Sequence, residues 1–239
     1  MGKADLHIHT TASDSLLDPR DVVEYAATET DLDLVAITDH DTLEGAWRAW
    51  RWLQAHPSAG LDFLWGVEMT CAWFKHLLFY WPERPPSRLP RRFLSPARLV
   101  REMQESGAVC VVAHPTNPIS ISPGDLVALT SRGLSVAGME VCSPVLGRRK
   151  EAGLRRVAGD LGLAVTGGSD SHGMLATIGA VYTQFPGRSR HDLIAALRQR
   201  TCDAAWGAVP VRAPLAVLVR QFLRAWVARP GLLQRTPPR

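Results

Sequence analysis

The chain has 239 residues, of which 46% are hydrophobic and 21% charged. This composition excludes extended disorder and fibrous folds, the length suits an α/β barrel built as one domain, and no apolar run approaches the roughly 20 residues of a spanning helix. The formal charge of +4 is uneven: residues 211–239 carry six arginines and no acid, which leaves the remainder of the chain near −2.

In chain order, Lys3–His9 reads as a short strand ending in histidines. Asp18-Pro19 opens a helix, with Asp as N-cap and Pro at the first helical position. Val22, Val23, Ala26 and Ala27 continue it at helical spacing. Leu34–Thr38 is a continuous apolar run, expected to be a strand buried on both faces. Gly45–His56 is a helix carrying Trp47, Trp50 and Trp52, followed by strands at Asp62–Cys71 and His76–Trp81. Pro82–Pro96 is a proline-rich, arginine-rich loop. Beyond it the pattern predicts helices at Ala97–Ser106, Leu126–Ser131, Arg148–Gly159 and Arg190–Gln199, and strands at Ala108–Ala113, Val136–Val141, Ala164–Thr166 and Ala180–Phe185. Strands alternating with helices predict parallel βα units, about seven of them, closing a barrel. The domain reading is a barrel over residues 1–207 and a basic helical tail over 208–239, packed on the barrel or extending from it. The N-terminus shows no apolar signal core. Cys71, Cys110, Cys142 and Cys202 have no Cys-x-x-Cys spacing, so a reducing, cytoplasmic setting is expected. Cys142 reads as a small buried hydrophobe in preference to a metal ligand.

The chemistry concentrates in histidines. His7, His9, His40, His114 and His172 fall at or just beyond the ends of predicted strands, and His76 lies near a strand start. Asp14, Asp39, Asp41, Glu68, Glu140 and Asp170 accompany them. In parallel barrels the strand C-termini gather at one face, where active sites form. His7 and His9 are two apart on a strand and so point the same way. So many donors suit two or three ions with bridging carboxylates. His56 and His191 flank helices and read as ordinary surface residues. Asp39 is read as a carboxylate that orients ligating imidazoles. Arg148 and Arg149 follow the Glu140 strand and are candidate phosphate clamps, or else the solvated start of a helix.

The strings His7-Ile-His9, Ser13-Asp14, Thr38-Asp39-His40-Asp41-Thr42, Gly66-Val67-Glu68, Ala113-His114-Pro115, Gly138-Met139-Glu140-Val141 and Gly168-Ser169-Asp170-Ser171-His172 together resemble the PHP (polymerase and histidinol phosphatase) superfamily. The resemblance runs from residue 3 to about 185. It implies a distorted (β/α)7 barrel with a trinuclear metal site at the C-terminal ends of the strands. His7, His9, Glu68 and Asp170 would hold one ion, Glu68 with His76 and His114 a second, and Asp14, His40 and His172 the third. The ions would be Mn, Fe or Zn, with Mg also admissible. The implied activity is a metal-dependent phosphoesterase acting on a small molecule, nucleotide or short oligonucleotide, with His40 or His172 assisting the leaving oxygen. The short Ser-Asp turn and Gly-Val-Glu string look most like nucleoside bisphosphate phosphatases and 5'→3' exoribonucleases. Many of these relatives carry a helical insertion where this chain has only residues 82–107. The competing readings are a histidinol-phosphate phosphatase and a non-catalytic, metal-dependent regulatory module. No integral membrane span is expected. RNA or anionic lipid is a candidate partner for the tail.

Overall fold

The computed structural model describes residues 1–115 and 120–207. The expected basic tail, 208–239, therefore lies outside the described residues.

The strands are β1 (Gly2–Ile8), β2 (Leu34–Ile37), β3 (Asp62–Thr70), β4 (His76–Trp81), β5 (Val109–Val112), β6 (Gly138–Cys142), β7 (Ala164–Gly167), β8 (Val181–Phe185) and β9 (Asp203–Trp206). The helices are α1 (Pro19–Glu29), α2 (Glu44–Ala55), α3 (Pro96–Glu105), α4 (Pro123–Thr130), α5 (Arg148–Asp160) and α6 (Arg190–Gln199). Local signals account for several of these boundaries. Asp18 caps α1 by accepting the Arg20 N–H at 2.9 Å, with Pro19 at the first position. Ser189 and Asp192 form a capping box on α6.

All nine strands join one sheet in the order β7-β6-β5-β4-β3-β2-β1-β8-β9. The sheet curls until its two ends nearly meet. The Gly167 N–H donates to Thr183 Oγ1 at 2.9 Å, and that hydroxyl donates back to the Gly167 carbonyl at 2.9 Å. Arg155 of α5 donates to the Ala204 carbonyl of β9 at 2.6 Å. Inside lies a core of Ala4, Leu6, Leu34, Leu64, Tyr80 and Val111, joined by Leu193, Ile194 and Leu197 of α6. The Arg190 N–H, at the start of α6, donates to Asp62 at the start of β3 at 2.7 Å, so α6 stops the N-terminal mouth of the barrel. The opposite mouth is left for the site.

The barrel is not all parallel, contrary to the sequence-based expectation. β4 runs antiparallel to β3 and to β5, and β8 runs antiparallel to β1 and to β9. Only residues 71–75 join β3 to β4, whereas a parallel crossover needs a dozen or more residues. β9 was not expected; it is four residues long and closes the stretch read as barrel, just before the tail.

Candidate metal centre

The reversal of β4 explains the one histidine out of place in the sequence pattern. His76 begins its strand, but Thr70 at the end of β3 pairs with it. Its imidazole therefore arrives at the same mouth as residues that end parallel strands. Six of the eight histidines converge there. The two outside are His56, stacked on Trp52 at 4.1 Å, and His191, which pairs with Glu83 at 3.4 Å.

Glu68 is the centre of the cluster. Its side chain is almost wholly buried, and Oε2 lies 3.1 Å from His7 Nε2, 3.1 Å from His9 Nε2 and 3.5 Å from His40 Nδ1. Oε1 lies 3.2 Å from both His76 Nδ1 and His114 Nε2. Asp170 Oδ1 stands 3.4 Å from the Nε2 atoms of His7 and His9. Toward solvent, Asp14 meets His172 Nε2 at 3.4 Å and His40 Nε2 at 3.7 Å. The potential ligand atoms fall into four overlapping groups: His9, Asp14, His40 and His172; His7, Glu68 and His114; His7, His9 and Asp170; His40, Glu68 and His76. Within each group these atoms lie within 4.8 Å of one another.

Charge in this pocket is strongly coupled. Burial opposes protonation of His7, yet Glu140, Asp170 and Glu68 outweigh it and hold its pKa well above the usual value. His9 is likewise raised to about 10 against burial, by hydrogen bonds to Asp170 and Glu68. His40 moves the other way, to about 3, because burial dominates the attraction of Glu68. Burial also opposes ionisation of Glu68 and Asp170, but the surrounding imidazoles keep both carboxyls well below their ordinary range.

The donor set fits cations in two respects. Buried His9 Nδ1, Asp14 Oδ1, His40 Nδ1 and Glu68 Oε1 have no hydrogen-bond partner, and buried polar atoms are normally satisfied. The imidazoles are also aimed by bonds on their other nitrogens, as metal-ligating histidines are. His7 Nδ1 engages Glu140 Oε1 at 2.9 Å, which frees Nε2. Glu140 Oε2 accepts the His114 backbone N–H at 2.8 Å, and His114 Nδ1 meets Ser120 Oγ at 3.0 Å. His172 Nδ1 donates to the Asp170 carbonyl at 2.8 Å. Asp41, His114 and Asp170 hold positive φ (56°, 26° and 50°), the kind of backbone strain that gathers at functional sites.

Two expectations are revised. Asp39 does not orient an imidazole. It accepts the Thr10 N–H at 2.7 Å, the Thr10 hydroxyl at 2.6 Å and the Ser13 hydroxyl, and so holds the turn that presents Asp14. Arg148 lays its guanidinium 4.6 Å from the Trp206 ring centroid, and Arg149 lines a separate cavity with Pro115, Leu126 and Met139. Neither contact involves the donor cluster. Among the described residues an arginine that does approach the cluster is Arg92, whose Nη1 is 3.8 Å from Asp41 Oδ2. It lies in the loop before α3, which carries no motif that would single it out. Cys142 is buried toward Glu151 and Arg155, away from the imidazoles.

A buried, multi-histidine, multi-carboxylate cluster at the C-terminal mouth of a distorted barrel is a donor set that could hold divalent metal ions. A family model described as PHP-associated matches residues 154–202. An uncharacterized protein of Methanocaldococcus jannaschii is 28% identical over 150 residues, 58% of this chain and 80% of that protein. A 3',5'-nucleoside bisphosphate phosphatase of Chromobacterium violaceum is 38% identical over 76 residues, 32% of this chain, and the 5'-3' exoribonuclease Rnm of Salmonella typhimurium is 43% identical over 72 residues, 30% of this chain. The matches span only 25% and 24% of those two enzymes. Among solved structures, a two-domain protein from Bacteroides vulgatus containing a predicted PHP-like metal-dependent phosphoesterase shares the fold. Its TM-score is 0.69 at 20% identity, over 92% of this chain and 68% of that one. Endonuclease Q in complex with a 27-mer duplex containing an abasic lesion gives a TM-score of 0.60 at 17% identity, over 83% of this chain and 56% of that one. The chain is thus similar in fold to a PHP-like metal-dependent phosphoesterase and carries a PHP-associated segment at residues 154–202.

Proposed function

We propose that this protein is a hydrolase of phosphate esters that works with three divalent ions of the Mn, Fe or Zn kind. The observation that carries the reading is Glu68, one buried carboxylate whose two oxygens each face at least two imidazole nitrogens within 3.5 Å. Such a bridging position serves adjacent cations and has no evident use in a plain core.

His7, His9, Glu68 and Asp170 would hold one ion, Glu68 with His76 and His114 a second, and Asp14, His40 and His172 a third. When bound, such ions supply Lewis acidity, neutralising phosphate charge and lowering the pKa of water toward neutrality. The chain's own part is positioning. Glu140 fixes the His7 tautomer, Asp39 fixes the Asp14 turn, and the cluster excludes bulk water from Glu68. His172 commits Nδ1–H to the Asp170 carbonyl, which leaves Nε2 to serve as a ligand. Arg92 replaces Arg148 and Arg149 as the candidate for holding a phosphate oxygen. Four free, buried thiols favour a reducing, cytoplasmic setting. Among the described residues no helix is long and apolar enough to cross a membrane.

The test is hydrolysis of a generic phosphomonoester with and without Mn²⁺, alongside the count of ions bound per chain. Activity that depends on Mn²⁺ and disappears in His7→Ala and Asp170→Ala is expected. Inactivity across monoesters, diesters and nucleotides would refute the proposal. A protein that binds the ions yet turns over none of these esters would be the regulatory module instead.

A further inference from the structure

The rim beside His76 carries a feature that the metal cluster does not use. Trp73, Phe74 and Phe93 are 84%, 62% and 46% exposed, and no other Trp or Phe among the described residues is exposed to this degree. All three have left-handed backbones, with φ of 65°, 57° and 61°, a conformation unfavourable for bulky residues. Three backbone bonds of 2.8 Å hold it: Cys71 N–H to the Lys75 carbonyl, Ala72 N–H to the Leu94 carbonyl, and Phe93 N–H to the Thr70 carbonyl. The Phe74 and Phe93 rings meet edge to face at 5.3 Å. This rim is continuous with the donor cluster. Trp73 is three residues from His76, and Thr70, which pairs with His76, also donates its N–H to Asp41 at 2.7 Å. The surrounding loop is basic, with Arg84, Arg88, Arg91 and Arg92 against Glu83, and the Arg92 guanidinium lies 5.7 Å from the Phe93 ring centroid.

We infer that Trp73, Phe74 and Phe93 form a stacking platform for the bases of a single-stranded nucleic acid whose phosphate enters the metal centre. Aromatic faces interleaved with arginine are the chemistry of sequence-tolerant single-strand binding, and the positive loop complements an anionic backbone. A buried apolar partner would not call for the arginines. The inference rests on the phosphoesterase reading for where the phosphate goes, but not for the binding itself.

The test is fluorescence anisotropy of a 5'-phosphorylated single-stranded RNA of about eight nucleotides, a length within the usual single-strand site size. EDTA is present, so that no turnover occurs. Trp73→Ala and Phe93→Ala should each weaken binding about tenfold, Trp73→Phe should retain most of it, and a base-free ribose phosphate oligomer should compete poorly. With Mn²⁺, hydrolysis of glycerol phosphate should stay within about twofold in all three variants, because that ester has no ring to stack. The inference falls if wild type does not bind the RNA, if the Trp73→Ala/Phe93→Ala double variant binds it as wild type does, or if the base-free oligomer competes equally. It also falls if Trp73→Ala alters only the mass of the protein in solution, which would mean that a second copy covers the rings. RNA binding that depends on Trp73, in a protein that hydrolyses no phosphate ester, would support the platform while refuting the hydrolase.

Discussion

Gly45 lies in the first turn of α2, outside every donor group, yet substitution there should reach the metal centre. A Cβ at this position would fall well inside van der Waals contact of Asp39 Oδ2 and Thr10 Oγ1. Neither atom ends a long, yielding side chain, and Asp39 is completely buried. Gly45→Ala therefore forces Asp39 off one or more of the bonds it accepts from Thr10 and Ser13. Overpacking costs about 1–3 kcal/mol, and a weakened hydrogen bond to a charged group about 1.5–3 kcal/mol. Against these, Ala gains about 1 kcal/mol over Gly in helix propensity. The net expectation is destabilisation of about 2–4 kcal/mol, read as a lower urea midpoint for the metal-free protein. Because the Thr10–Ser13 turn presents Asp14, the His40 and His172 group should loosen as well, and the ions bound per chain should fall by one. A Gly45→Ala protein within about 0.5 kcal/mol of wild type and with an undiminished ion count would refute the link from α2 through Asp39 to Asp14.

Glu68→Gln removes the shared carboxylate and leaves raised, charged imidazoles unpaired. The metal-free protein should lose about 3–5 kcal/mol, and two of the proposed ions should be missing by elemental analysis. Glu140→Gln keeps the shape but weakens the hold on His7 and on the His114 backbone, so metal affinity should drop about 10–100-fold by competition with a chelator, with little change in secondary structure by circular dichroism. Asp5 accepts the backbone N–H groups of Gly179 at 2.8 Å, Ser169 at 3.0 Å and His7 at 3.3 Å, while burial raises its carboxyl to about 6. The folded chain thus holds this proton more tightly than the unfolded one, so Asp5's share of stability is full below about pH 4 and lost as pH rises through 6. In EDTA, the stability of wild type relative to Asp5→Asn should fall by about 2–3 kcal/mol between pH 4 and pH 7; a flat difference would place the charge elsewhere.

Much of this protein can be read from its residues in order. The apolar runs at Leu34–Thr38 and Ala108–Ala113 are strands because a strand buried on both faces leaves no polar alternation. Asp18-Pro19 opens a helix because Pro suits a position whose N–H has no partner. The histidines stand out because so many metal-competent groups at strand ends are costly in a plain core. What the sequence could not state was direction and neighbourhood. His76 looks misplaced until the five-residue connection forces β4 to run backwards and delivers its imidazole to the mouth. Asp39 and Glu140 are interchangeable acids on paper. Only the folded chain makes one the anchor of a turn and the other the partner of His7 Nδ1. Arg148 and Arg149 follow the right strand, but a helix rotates its first residues by about 100° each, and that rotation carries Arg148 to Trp206. Periodicity and end signals are local and so survive in one dimension. Which donors share an ion depends on contacts between residues as far apart in the chain as His7 and Asp170, and only closure of the barrel decides them.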